Sequence, residues 1–287
     1  MTKTVYSLGT IDIPTIDNIR TLAKDEFDII LKEINELEKF HFDNALYNLI
    51  ELNYGDFKTR IDSYLNQYIA NPKLDSSEFS SLFIDINRLI LNLLSSVRTY
   101  IDHTETRLKR TFGDKSEEFN LFKELTSKCF DDHFAYRFLS KLRNYSQHCG
   151  LPTGSISITD DVNGHCLKLS LVRDNLLADF DSWGSIVKPD LQKQDKEFDI
   201  IPLLDKKVEL LEDVNRKINS TLLKKMTNQG NHLLELIMET QNKGRGIPCL
   251  LEISGPIDNP TIKTKWFPYE VISEITGTKI NMVYTGE

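Results

Sequence analysis

The sequence predicts a mainly α fold, a helical bundle with a small β hairpin insertion and a C-terminal α/β portion. Three patterns carry this expectation. Apolar residues recur at intervals of three and four through most of the first 150 residues, the helical period. The period then switches to alternation between Ser155 and Leu171. After Gly246, short apolar runs punctuated by Gly and Pro read as strands and turns.

The first helix is expected over 16–40, where Ile19, Leu22, Ala23, Phe27, Ile30, Ile34 and Leu37 fall on one face. A second is expected over 43–70, with Leu46, Leu49, Ile50, Phe57, Ile61, Leu65 and Tyr68 as its stripe and Gly55 as a point where it kinks or splits. Asn71 and Pro72 stop it. Asp75, Ser76 and Ser77 offer caps for a long helix over 77–111, whose seam runs from Phe79 through Leu82, Phe83, Ile86, Leu89, Ile90, Leu93, Val97 and Tyr100 to Ile101. A tract over 116–149, broken near Asp131 and Asp132, carries Phe134, Phe138, Leu142 and Tyr145 on one stripe. It ends at Gly150, suited to a left-handed cap, and Pro152.

Asp160, Asp161, Asn163 and Gly164 separate the alternating runs and signal the hairpin. Helical spacing returns over 203–240, with a break expected in Asn228–Asn231. Strands over 247–253 and 261–267 and a last one near 279–284 complete the tail as a small antiparallel sheet. The expected division is a bundle over 1–150 and a hairpin, long helix and sheet over 151–287. No internal repeat of 20 to 50 residues is visible.

A chain of 287 residues with 40% hydrophobic and 27% charged content is long enough to bury a substantial core. The formal charge of −8 opposes loose binding to nucleic acid, which depends on Lys and Arg displacing counterions, but leaves room for a local basic groove. No apolar stretch approaches the roughly 18 to 20 residues that span a bilayer, and no secretion signal is visible, so no membrane association is expected. Cys129, Cys149, Cys166 and Cys249 include no CxxC pair and read as reduced thiols of a cytoplasmic protein.

The candidate chemistry lies in Arg143-Asn144-Tyr145-Ser146-Gln147-His148. RNA carries its own nucleophile: attack by a ribose 2′-hydroxyl needs a proton removed, a proton delivered to the leaving oxygen, and charge on the phosphorane stabilised, all without a metal. An imidazole titrates near neutral pH, and a guanidinium fork can donate two hydrogen bonds to phosphate oxygens. Five helical residues turn about 500°, leaving Arg143 and His148 about 140° apart, so they converge only if the last turn frays or another chain completes the site. The same residues also describe a surface arginine beside a histidine at a helix C-terminus.

The segment LSKLRNYSQHCG resembles the R-x4-6-H signature of HEPN domains, in which a polar residue, often Asn, follows the Arg. The resemblance implies a HEPN-like helical bundle over 16–149 and a metal-independent endoribonuclease, of the kind found among toxins and antiviral defence effectors, with two motifs meeting across a homodimer. It assigns Arg143 to phosphate binding, His148 to general acid or base work, and Asn144 to orientation. Gly150 stands where one toxin subgroup carries a tyrosine, which removes any expectation of regulation there.

A second pair, Arg98 and His103, repeats the spacing within RTYIDH, with Asp102 able to orient an imidazole or neutralise an arginine; ion pairs on a bundle face describe it equally. Arg107, Lys109, Arg110, Arg137 and Lys141 are candidates for a basic rim that binds RNA, Arg137 and Lys141 foremost, though the interspersed Asp and Glu also describe a solvated face of mixed charge. Asp131-Asp132-His133 suggests helix capping rather than a metal site, and no metal or other cofactor is expected. There is no Walker loop, GxGxxG fingerprint or GxSxG elbow. The expected partners are RNA as substrate, a second copy of the chain, and a protein partner or the target RNA at the C-terminal portion. The alternative is a non-catalytic helical scaffold that assembles through its long helices.

Overall fold

The computed structural model describes residues 4–72, 75–161, 164–256 and 258–280. The fold is mainly α with a small β portion. Strands β1 (Val5–Asp12) and β2 (Thr15–Leu22) precede α1 (Lys24–Ala70), α2 (Ser76–Phe112), α3 (Glu117–Asp132) and α4 (Phe134–His148). Then come β3 (Ser155–Asp161), β4 (Gly164–Val172), α5 (Arg173–Asp179), α6 (Gly184–Gln192) and β5 (Glu197–Asp199). The chain continues through α7 (Ile201–Lys225), α8 (Thr227–Lys243), β6 (Ile247–Ser254), β7 (Thr261–Trp266) and α9 (Tyr269–Thr276).

Two compact units result, one from the chain up to Asn44 together with Ser220 onward, the other from Ala45 to Asn219. This partition cuts across the expected boundary at residue 150, because the first strands hydrogen-bond to the tail. In the first unit β2, β1, β6 and β7 lie side by side in that order, all antiparallel. Gly9 sits at the bulge between β1 and β2, where an added Cβ would stand 2.5 Å from the Asp17 carbonyl oxygen. Helix α8 packs on this sheet and on α9, its Gly230 so close to α9 that a Cβ there would meet Ile275 Cγ2 at 2.5 Å.

The second unit is the bundle. Asp75 caps α2 by accepting from the backbone N–H groups of Ser77 and Glu78, while Glu78 accepts from the Asp75 N–H. Leu82, Ile86, Leu89, Ile90, Leu93, Val97 and Tyr100 are buried as their spacing predicts. Phe79, expected to open this seam, is 42% exposed and lines a cavity of about 180 Å³ with Tyr64, Tyr68 and Ile156. Fully buried Asn87 accepts from the Thr153 N–H at 3.0 Å and donates to the Phe83 carbonyl at 2.9 Å, tying the loop after α4 to α2. The predicted hairpin forms as β3 and β4, and β5 adds a third antiparallel strand.

Several expectations are corrected. Thr15–Leu22 is a strand paired antiparallel with β1, so the three-residue spacing of Ile16, Ile19 and Leu22, which is helical rather than the period of two of a strand, is overridden by that pairing. Helices expected over 16–40 and 43–70 are one, α1, and Gly55 stays helical with open space where a side chain would be. Gly150 does not adopt a left-handed conformation. The break expected within Asn228–Asn231 falls at Met226. Lys279 and Ile280 are not in a strand, and the rest of the strand expected there lies outside the described residues, as does Asn163 of the hairpin turn. Asp131 and Asp132 do not cap α4, whose N-cap is His133 with no side-chain bond.

Candidate functional site

All the sequence-derived candidates belong to the second unit. Helix α4 buries Ala135, Tyr136, Phe138, Leu139, Leu142 and Tyr145, a face wide enough to fix its rotation in the bundle. Fully buried Trp183 stacks on Phe138 at 5.6 Å and on Tyr145 at 6.0 Å between ring centres, and its indole N–H donates to the Leu176 carbonyl at 2.9 Å. At the C-terminal end, Tyr145 Oη donates to Asp179 Oδ2 at 3.4 Å and Cys149 Sγ to the Asp179 carbonyl at 3.2 Å. Burial raises the Tyr145 phenol above its ordinary range, so it is a donor at neutral pH.

The helix is regular through His148, and the Cys149 N–H still donates to the Tyr145 carbonyl at 2.8 Å. Fraying of the last turn therefore does not bring Arg143 and His148 together, and the turn of about 140° between them persists. At 100° per residue, Arg143 shares a face with Tyr136, Ser140 and Gln147, whereas His148 shares one with Arg137, Lys141 and Asn144. Arg143 is half-buried, Nη1 donating to Gln147 Oε1 at 2.9 Å and buried Nε having no hydrogen-bond partner among the described residues. His148 is exposed.

Arg143 also differs from seven other arginines in its pairing, and from Arg110 and Arg245, which show no ion pair either among the described residues, in being half-buried where they are exposed. Arg20, Arg60, Arg88, Arg98, Arg137, Arg173 and Arg216 each close on an Asp or Glu. Arg143 meets no carboxylate among the described residues, so a partly desolvated cation is left without an anion.

The other candidates divide. Arg137 is engaged at all three nitrogens: Nε and Nη2 both hold Asp190 Oδ2, at 2.8 and 2.6 Å, and Nη1 donates to the carbonyls of Phe130 and Asp131. Its fork ties α4 to α6 through four of its five N–H donors, which leaves a single Nη2 N–H and corrects its place in the basic rim to a mainly structural one. Lys141 and Asn144 are half-buried and make no side-chain hydrogen bond or ion pair among the described residues. The Lys141 stem passes over Gly184, its Cε 3.9 Å from where a Cβ would stand. In the second motif, Arg98 is exposed and paired with Asp102 at 2.7 Å on its own helix, while His103 is exposed. No hydrogen bond or ion pair links this motif to α4 among the described residues.

One group went unread in the sequence. Lys207 of α7 is 2% exposed, and its ammonium donates to the Tyr136 carbonyl at 2.9 Å and to Ser140 Oγ at 2.7 Å. It also lies 3.9 Å from the centre of the Tyr136 ring. Burial pushes it down to about 7. Its spacing from Leu204 and Leu211, three and four residues away on the buried stripe, is the signal that could have found it. Asp179 and Trp183 gave no comparable signal, because the short helices over 173–192 lack a clear period.

Among the described residues no group of three or more His, Cys, Asp or Glu is placed to hold a metal ion, and no helix is long and apolar enough to cross a membrane. Compared with known proteins, the chain matches no family model and has no significant match among curated proteins or solved structures.

Proposed function

We propose that the chain is a metal-independent endoribonuclease of the HEPN type whose cleavage site is shared between two copies, with the role of a toxin or defence effector. One observation carries the reading: Arg143 is a half-buried guanidinium without a carboxylate partner, in a segment that ends on an exposed imidazole. A buried cation without an anion costs free energy that a phosphate would offset. His148 supplies proton transfer to or from the ribose hydroxyl or the leaving oxygen. Because α4 is regular to its end, His148 meets the Arg143 of a second copy rather than its own, which makes a homodimer part of the mechanism. The exposed imidazole and the ribonuclease chemistry need no cofactor.

The test is incubation of the purified protein with RNA in EDTA. Fragments ending in 2′,3′-cyclic phosphate support the proposal, and RNA that stays intact across pH and salt overturns it.

The second reading, a non-catalytic scaffold, is favoured by Ala45, Leu49 and Leu52, which lie exposed along one stripe of α1. In that reading the protein self-associates but leaves RNA intact. A role of the C-terminal portion in holding a protein partner or the target RNA belongs to either reading.

A further inference from the structure

The face of α4 that carries His148 also carries Lys141 and Asn144, at intervals of three and four residues, and these three positions fall within about 60° of one another. Arg137 is the fourth position on that face, but its fork is closed by Asp190 and two carbonyls. Lys141 is different. Its ammonium meets no acid and no other acceptor among the described residues, although the side chain is half-buried. Its stem packs over Gly184, which has no side chain to crowd it. The helix thus presents, in order, a partnerless cation, a side-chain amide with both donor and acceptor capacity, and an imidazole at its exposed end.

Resting on the ribonuclease reading, we infer that this stripe is a track for single-stranded RNA, with His148 at the scissile phosphate, Asn144 beside the adjoining nucleotide and Lys141 on a flanking phosphate. The spacing decides which phosphate Lys141 holds. Seven helical residues separate Lys141 from His148, a rise of about 10.5 Å. Side chains on a helix also lean toward its N-terminus, which carries the ammonium further from the imidazole. One phosphate cannot serve both groups at that separation, so the strand must extend past the scissile bond to reach Lys141. The substrate class that follows is an oligonucleotide with at least one phosphate beyond the cleaved one on the Lys141 side, and a dinucleoside monophosphate lacks the group that Lys141 binds.

Lys141→Met keeps the stem over Gly184 and removes the charge, and Lys141→Arg restores a cation. With a single-stranded oligoribonucleotide, Lys141→Met is expected to raise KM roughly three- to tenfold with kcat little changed, and Lys141→Arg to recover most of the loss. With a dinucleoside monophosphate, wild type and Lys141→Met are expected to cut equally slowly. Binding of a labelled oligoribonucleotide in a His148→Ala background should show a log K against log salt slope shallower by about 0.7 when Lys141 is Met, the release associated with one phosphate on a single strand. Cleavage by wild type with an unchanged KM and salt slope in Lys141→Met overturns the track and leaves the nuclease standing. Absence of cleavage by wild type on both substrates overturns the nuclease and the track together.

Discussion

Arg143 donates from Nη1 to Gln147 Oε1 at 2.9 Å, one turn further along α4, and so reaches along its own face of the helix rather than around it to His148. If Arg143 and His148 act on one phosphate, His148→Ala removes proton transfer and Arg143→Ala leaves the phosphorane charge unbalanced. Each is expected to abolish cleavage, with the double variant scarcely worse than either, since residues that act as a unit lose activity non-additively. Arg143→Lys should also fail, because the charge remains but the planar fork is lost. Neither residue belongs to the buried aromatic stripe, so the variants should fold with a stability cost within about 1 to 2 kcal/mol. Circular dichroism checks the fold before the cleavage assay is read.

Lys207 gives the pH prediction. Its folded-state pKa is depressed to about 7 from an ordinary 10.5, so between those values the unfolded chain binds the additional proton. Stability referable to this group is therefore fully present above about pH 10.5 and is lost as pH falls through about 7. Lys207→Met removes the cost of burying the cation and leaves no orphaned acceptor, because Ser140 Oγ still donates to the Tyr136 carbonyl. The variant is expected to be more stable than wild type by about 1 to 4 kcal/mol at pH 6 to 7, with the gain shrinking toward pH 10. Denaturant midpoints measured across that range check it. A variant less stable than wild type at pH 6 would show that the contacts to Tyr136 and Ser140 outweigh desolvation.

Arg137 and Asp190 are expected to behave as a structural pair. Their side chains are 12% and 23% exposed, and Arg137 also satisfies two carbonyls at the end of α3. Arg137→Ala should cost about 2 to 3 kcal/mol, and Asp190→Ala, added to it, much less than its own effect alone. The hydrogen bonds from Arg137 hold the Asp190 carboxyl below its usual range. Its contribution is therefore present above the ordinary carboxylate pKa near 3.8 and is lost as pH falls below it. Thermal melts of the two single variants and the double variant measure the coupling; additive costs would show two independent side chains.

The long helices were legible because their periods are strong: the seam of α2 from Leu82 to Tyr100 is buried nearly as spaced, and Asp75 caps where expected. Local pattern misled at Thr15–Leu22, where what decides strand over helix is pairing with β1 and, through it, with β6, more than 200 residues away in the chain. The same non-locality hid the division into units. At the candidate site, sequence gave the residue types and the angle between Arg143 and His148, and the regular end of α4 left that angle intact. It did not show that Arg137 is consumed by Asp190, because Asp190 lies on a short helix with no readable period. Nor did it show the depth of Lys207, because the charge masked an apolar position.

The central claim, a cleavage site made by Arg143 of one copy and His148 of another, is tested most directly by mixing two inactive variants. Arg143→Ala and His148→Ala protein, unfolded together, refolded and assayed on RNA in EDTA, should regain roughly a quarter of the wild-type rate, since random pairing gives half mixed dimers with one intact site each. Either variant treated alone should remain inactive. A mixture as inactive as its components, under conditions where wild type recovers and native mass spectrometry shows mixed dimers, would contradict the shared site.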